Sequence, residues 1–110
     1  MTVERMIEAS STLRDDVESF ADSLVKEGSV DVVYNPLAYA WEPHRAYLES
    51  AAGGGAKTLL LGMNPGPHGM GQMGIPFAAT SVVRDLLKIT DLEVGQPRNP
   101  HPKRPVSGLD

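Results

Sequence analysis

The sequence predicts an α/β fold, an αβα fragment built around one strand of a mostly parallel sheet. Lys57-Thr-Leu-Leu-Leu-Gly62 is a continuous apolar run bounded by glycine, the pattern of a strand buried on both faces. Helical patterns precede and follow this run, and a buried parallel strand needs both of its faces covered. No second run of equal strength occurs, so the expectation is a single domain spanning 1–110 and cut short after Asp110, its remaining strands outside the chain.

The elements follow in order. From Val3 to Val25, the apolar residues Val3, Met6, Ile7, Leu13, Val17, Phe20, Ala21, Leu24 and Val25 recur at three- and four-residue steps, which predicts an amphipathic helix. Gly28 supplies its stop, so the amino-terminal helical unit is placed at 1–28. The face bearing Glu4, Glu8, Arg14, Asp15, Glu18 and Asp22 is expected to be solvated. Asp31 to Pro36 reads as a short extended segment ending in an Asn-Pro turn, and Pro43 is placed to open a helix from His44 to about Ala51. The 57–88 unit then combines the strand, a loop and a helix beginning near Ser81. Residues 62–76 hold too much glycine and proline for a helix or a regular strand. Prolines at 97, 100, 102 and 105 make 95–110 an extended, looped tail.

Composition bounds the chemistry. The 110 residues are 41% hydrophobic and 22% charged, values of one globular domain, and no apolar run approaches a membrane span. The start lacks the layout of a signal peptide, so an intracellular, non-secreted protein without a membrane partner is expected. Without cysteine there is no disulfide framework, thiolate metal site, iron–sulfur cluster or cysteine nucleophile. His44, His68 and His101 have no metal-ligand spacing, and no metal or other cofactor is expected. The net charge of −4 divides into −6 over residues 1–50 and +2 over 51–110. Such acidity argues against broad non-specific nucleic-acid binding, so any DNA contact would be local. Arg98, Lys103 and Arg104 stand in an acid-free stretch that suits either phosphate contact or a solvated basic loop.

The loop after the apolar run is the first place to look for a ligand site, because open α/β sheets bind ligands beyond the carboxyl ends of their strands. Gly69-Met-Gly-Gln-Met-Gly74 matches the dinucleotide-binding pattern, but it begins late after the strand and Pro76 separates it from the next helix. Asn64 is the short polar side chain at the strand exit; it suits the orientation of a water or the making of an Asn-Pro turn. Phe77 suits stacking on a planar base or plain core packing.

Three stretches together carry a resemblance. Tyr34-Asn-Pro-Leu-Ala-Tyr-Ala-Trp-Glu-Pro-His44, Gly62-Met-Asn-Pro-Gly-Pro67 and His101-Pro-Lys-Arg-Pro105 resemble, in the same order, segments of the single-strand-selective monofunctional uracil-DNA glycosylases. The resemblance covers residues 34 to about 109 and identifies the chain as the amino-terminal half of such an enzyme. It implies the three-layer αβα uracil-DNA-glycosylase-like fold, incomplete here. The implied activity is hydrolysis of the bond between deoxyribose and uracil or 5-hydroxymethyluracil in DNA, by a monomer acting in base excision repair. The compartment would be the one that holds DNA, the bacterial cytoplasm or the eukaryotic nucleus.

Carried over by motif position, Asn64 would position the attacking water and Phe77 would stack on the base. Gly62, Met63, Pro65 and Gly66 would line the same pocket, with Gly66 placed where a larger residue would crowd the base. His68, Lys103 and Arg104 are candidate DNA contacts. The family's leaving-group histidine and uracil-reading asparagine belong to stretches not found in this sequence, and His101 aligns with a different, non-catalytic segment. The chain also departs from the family pattern at His68, where phenylalanine is typical, at Met73, where threonine is common, and at Ala78, where glycine usually follows the stacking residue. A non-catalytic nucleotide or single-strand binding module and an inactive fragment are the alternatives.

Overall fold

A 24-residue helix, α1 (Val3–Lys26), opens the computed structural model, which describes residues 2–109. Met1 and Asp110, the outer bounds of the expected domain, lie outside the described residues. Thr2 caps α1 by accepting a hydrogen bond from the Arg5 N–H at 3.2 Å, and Gly28, at φ +83°, turns the chain away after it. Three short helices and one longer one follow: α2 (Pro36–Tyr39), α3 (Trp41–Ala51), α4 (Met70–Met73) and α5 (Thr80–Asp85). A 3₁₀ turn, Ala52–Gly54, extends α3.

No strand occurs among the described residues, which corrects the predicted α/β sheet and three-layer αβα fold. The run read as a buried strand has no regular secondary structure and is open to solvent, with Leu59, Leu60 and Leu61 at 85, 70 and 89% exposure. The physical reason is partnership. A parallel strand is stabilised by neighbours that take its main-chain hydrogen bonds and cover its faces, and among the described residues no strand pairs with 57–62 and Leu59, Leu60 and Leu61 are left uncovered.

The core lies instead between the 73–89 region and the helices before it. Met73, Ile75, Ala78, Val83 and Ile89 form one buried cluster, with Ala46, Tyr47, Val94 and Leu109 packed against it. Tyr39, Ala40 and Val106 form a second beside it, bordered by Tyr34 and Val94. Met73, which departs from the family pattern, is thus a core residue at 1% exposure.

The face of α1 that packs inward is largely the one its apolar pattern predicts: Ala21 is buried and Val3, Met6, Ile7, Val17 and Leu24 are partly buried, while Glu4, Glu8, Asp15 and Asp22 are exposed. The departures are at its edges: Leu13 and Phe20 are 53 and 64% exposed, while the polar Ser10, Arg14 and Glu18 are partly buried. Asn35, buried, donates from Nδ2 to the Arg14 carbonyl at 2.9 Å and to the Glu18 carboxylate at 3.0 Å. The Arg14 guanidinium lies 4.6 Å from the Trp41 ring centre, a cation–π contact, and Arg98 pairs with Glu18 and Asp22. Arg14 and Glu18, expected on the solvated face, are partly buried because they find partners far along the chain.

His44 joins α1, α3 and the loop after α4. Its Nδ1 lies 2.7 Å from the Gly74 carbonyl oxygen, which can only accept, so Nδ1 carries the proton and donates. Nε2 is left to accept from the Ser10 hydroxyl at 3.4 Å. Burial pushes the imidazole pKa below its ordinary 6.5, with the Gly74 hydrogen bond acting weakly the other way. A lowered folded pKa means that the unfolded chain takes up the proton first. The stabilisation is complete above the unfolded value and is lost as pH falls from there towards the folded one. The melting temperature of the wild type is expected to drop between about pH 7.5 and about pH 5.5 by more than that of His44→Gln. Equal drops would remove His44 as the cause.

Candidate functional site

The 62–79 segment folds around a hollow of about 570 Å³. The Gly-rich run that was expected to exclude helix makes one turn of it, α4, closed by Gly74 at φ +71°. A Cβ at Gly74 would stand 2.9 Å from the Ala40 carbonyl oxygen, so the close approach of α4 to α2 requires glycine here. The third glycine of the dinucleotide-like pattern thus has a packing reason of its own.

Beyond α4 the chain anchors Ile75 and Ala78 in the core, at 0 and 6% exposure, and the residue between Pro76 and Ala78 has nowhere to turn but outward. Phe77 accordingly sits at φ +59°, in the left-handed region that costs an L-residue with a side chain about 1–2 kcal/mol. The buried residues on either side hold it there. Phe77 is 67% exposed and its ring lies over Gly62, where a Cβ would meet the ring Cζ at 3.0 Å and Cε1 at 3.3 Å. The absence of a side chain at 62 is what lets the ring take this position.

Gly62, Met63, Asn64, Pro65, Gly66, His68 and Phe77 all line this one hollow, so the structure brings together every predicted residue of the pocket. It adds Leu60, Met70, Pro76 and Ala79, which sequence reasoning did not select, and Gly69 and Ala78, which it had noted for other reasons. Their signal in the sequence was only proximity to the glycine-rich loop. Met63 is 97% exposed. Asn64 is exposed as well, and its amide makes one long hydrogen bond, from Nδ2 to the Pro65 carbonyl at 3.5 Å. Its side chain is thereby held only loosely by the protein. Asn64 and His68 are the polar side chains among the described lining residues, and the remainder of the wall is apolar or glycine. Such a wall suits a flat, weakly polar ring bound by contact and a few directed hydrogen bonds.

Lys103 and Arg104 do not reach this hollow; they lie on the carboxyl-terminal tail. That tail is held despite its prolines. The Tyr34 hydroxyl accepts from the His101 N–H at 2.6 Å and donates to the Arg104 carbonyl at 2.8 Å. The Gly95 N–H donates to the Tyr39 carbonyl at 2.7 Å. Tyr39 in turn donates its hydroxyl hydrogen to the Gly71 carbonyl, and burial, helped by the neighbouring Tyr34, pushes its pKa up to about 12. Tyr39 thus stays a neutral donor that ties α2 to the site loop. No group of three or more metal-ligating side chains occurs among the described residues.

Against known proteins, no family model matches the chain. It is 54% identical over 81 residues to the single-strand selective monofunctional uracil DNA glycosylase of Bos taurus, and 53% identical over the same length to those of Rattus norvegicus and Mus musculus. Each match covers 74% of this chain and 29% of the relative, so the chain spans under a third of the length of these relatives. By sequence, the chain is similar over 81 residues to part of the single-strand selective monofunctional uracil DNA glycosylases.

Proposed function

We propose that the chain carries the base pocket and the water-positioning residue of a DNA-repair glycosylase that removes uracil, and 5-hydroxymethyluracil, from DNA as a monomer. The observation that supports it most is the meeting of Asn64, Phe77 and Gly66 around one mostly apolar hollow, in a chain that shares more than half its residues with uracil DNA glycosylases over 81 positions. A base must leave the stack to reach such a hollow, and stacking on Phe77 would compensate part of that loss. Cleavage of the glycosidic bond passes through an oxocarbenium-like state, so water need only be well placed rather than strongly activated. The Asn64 amide oxygen would accept a hydrogen bond from that water and aim its oxygen at C1′. The bond between C1′ and the base breaks as the bond to water oxygen forms, and the water proton ends on the departing pyrimidine. His68, Lys103 and Arg104 would contact the DNA outside the pocket.

The scarcity of polar groups in the hollow supports a second reading, a module that binds the base without cleaving it, because among the described residues no lysine or arginine lines the pocket to steady a departing anion. Incubation with a uracil-containing single-stranded oligonucleotide separates the two. Release of free uracil with an abasic product is expected, whereas saturable binding without release would replace the enzyme by the binder. Gly66→Ala sharpens the test. A Cβ there meets no protein atom within 4 Å, so the fold should melt as the wild type does. The added methyl takes space meant for the base, and uracil release should fall by roughly tenfold to a hundredfold. Unchanged release would place the base elsewhere.

A further inference from the structure

We propose that a track for the DNA strand runs from the base pocket across the Pro67–His68 turn to the 101–104 turn, and that Gln72 holds its two walls together. The proposal rests on the reading of the 570 Å³ hollow as a base pocket and extends it to the strand on one side of the base. Three hollows are joined through shared walls. His68 lines both the base pocket and a neighbouring hollow of about 250 Å³, and Arg104 lines both that hollow and a third of about 380 Å³. The third also contains Lys103 and His101.

Charge divides sharply along this line. Among the described residues, no aspartate or glutamate lines any of the three hollows, whereas the hollows beside α1 contain Asp15, Glu18 and Asp22, with Arg98 held by the last two. The cations of the track are differently placed. Among the ion pairs of the described residues, none involves Lys103 or Arg104. An acidic protein that must meet a polyanion locally gains most from basic groups kept apart from its own carboxylates.

The local structure explains how a proline-rich tail presents them. The Arg104 N–H donates to the His101 carbonyl at 3.0 Å, closing a turn in which Pro102 takes the position that its fixed φ suits and Lys103 sits at the tip. Tyr34 pins this turn from below through its hydroxyl. Gln72 fixes the middle of the track. Its Nδ-equivalent amide nitrogen, Nε2, donates to the carbonyls of Pro67 at 2.9 Å and Pro105 at 3.0 Å, and Oε1 accepts from the Ser107 N–H at 2.8 Å. One side chain thus bridges the pocket loop to the cationic tail, and Gln72 is a positioning residue for the phosphodiester backbone.

The test is the binding of the 110-residue chain to a fluorescent oligothymidine, with and without one uracil, followed by anisotropy across a salt series. Lys103→Ala and Arg104→Ala are each expected to weaken both oligonucleotides alike and to reduce the slope of log K against log salt by about 0.7, the single-strand value per phosphate contact. Arg98→Ala, a cation on the acidic side, should leave the slope as it is. Gln72→Leu removes no charge, yet should weaken binding of the uracil-free strand while the chain still melts cooperatively. Failure of the base-pocket reading has another signature: Gly66→Ala would then leave the preference for uracil intact while the salt slope still responds to Lys103 and Arg104. An unchanged slope in the Lys103→Ala, Arg104→Ala double variant, or an equal loss in Arg98→Ala, would overturn the track.

Discussion

Asn64→Ala is expected to lower the rate of uracil release by about a hundredfold or more, the loss seen when a catalytic positioning or stabilising group is removed. The expectation follows from how little else Asn64 does. It is exposed, and its single hydrogen bond to the next residue's carbonyl is at the limit of useful length. Removing it should therefore shift stability by no more than about 0.5 kcal/mol, as for a surface substitution. The loss should fall on kcat with little change in binding of an uncleaved strand, since a water in flight to C1′ is held in the transition state and hardly before it. Asn64→Asp keeps an oxygen able to accept from water and should retain more activity than alanine. Single-turnover release from a uracil oligonucleotide, beside a thermal melt of each variant, measures both quantities. Full activity in Asn64→Ala would end the water-positioning role.

Ile75→Ala is the substitution with the largest expected effect on the fold, about 2–5 kcal/mol of destabilisation. Ile75 is fully buried in the cluster with Met73, Ala78, Val83 and Ile89, two residues before Phe77 in the chain. A cavity there removes contacts from the core and from the support of the strained Phe77 backbone at once. Against a net stability typically of about 5–15 kcal/mol, a melting temperature lower by about 10 °C or more is expected. Leu60→Ala, which removes a comparable side chain at 70% exposure, should change the melt little. A loss below about 1 kcal/mol for Ile75→Ala would move the core away from this cluster.

What could be read in the sequence was what depends on neighbours close in the chain. The three- and four-residue spacing and Gly28 placed α1 to within a residue or two, Pro43 marked the first turn of α3, and the prolines of the tail excluded helix there. The pocket residues from 62 to 77 were legible together because one loop carries them all. The fold class was not legible, since an apolar run such as 57–62 looks the same whether a partner covers it or water does. The partial burial of Arg14 and Glu18 was missed for a similar reason: Trp41 meets the Arg14 guanidinium and Asn35 bonds the Glu18 carboxylate and the Arg14 carbonyl, partners of 17 to 27 residues' separation in sequence. Gln72 and Tyr34 escaped notice because their hydrogen bonds to the tail span 33 to 70 residues.

The exposed stretch after α3 gives the molecule an unusual relation between covalent and folded continuity. Residues 54–68 are open to solvent, yet the parts before and after them grip each other through His44 and Gly74, Tyr39 and Gly71, Tyr34 and Arg104, and Arg98 with Glu18. The peptide links between Gly55 and Gly62 are therefore the natural place for a protease to nick the chain, and a nick there would leave the two pieces docked. Phe77 and the 101–104 turn would stay seated on one scaffold, while Asn64 would ride on a newly freed end. The residue proposed to aim the water is thus tethered by the part of the chain that folding constrains least.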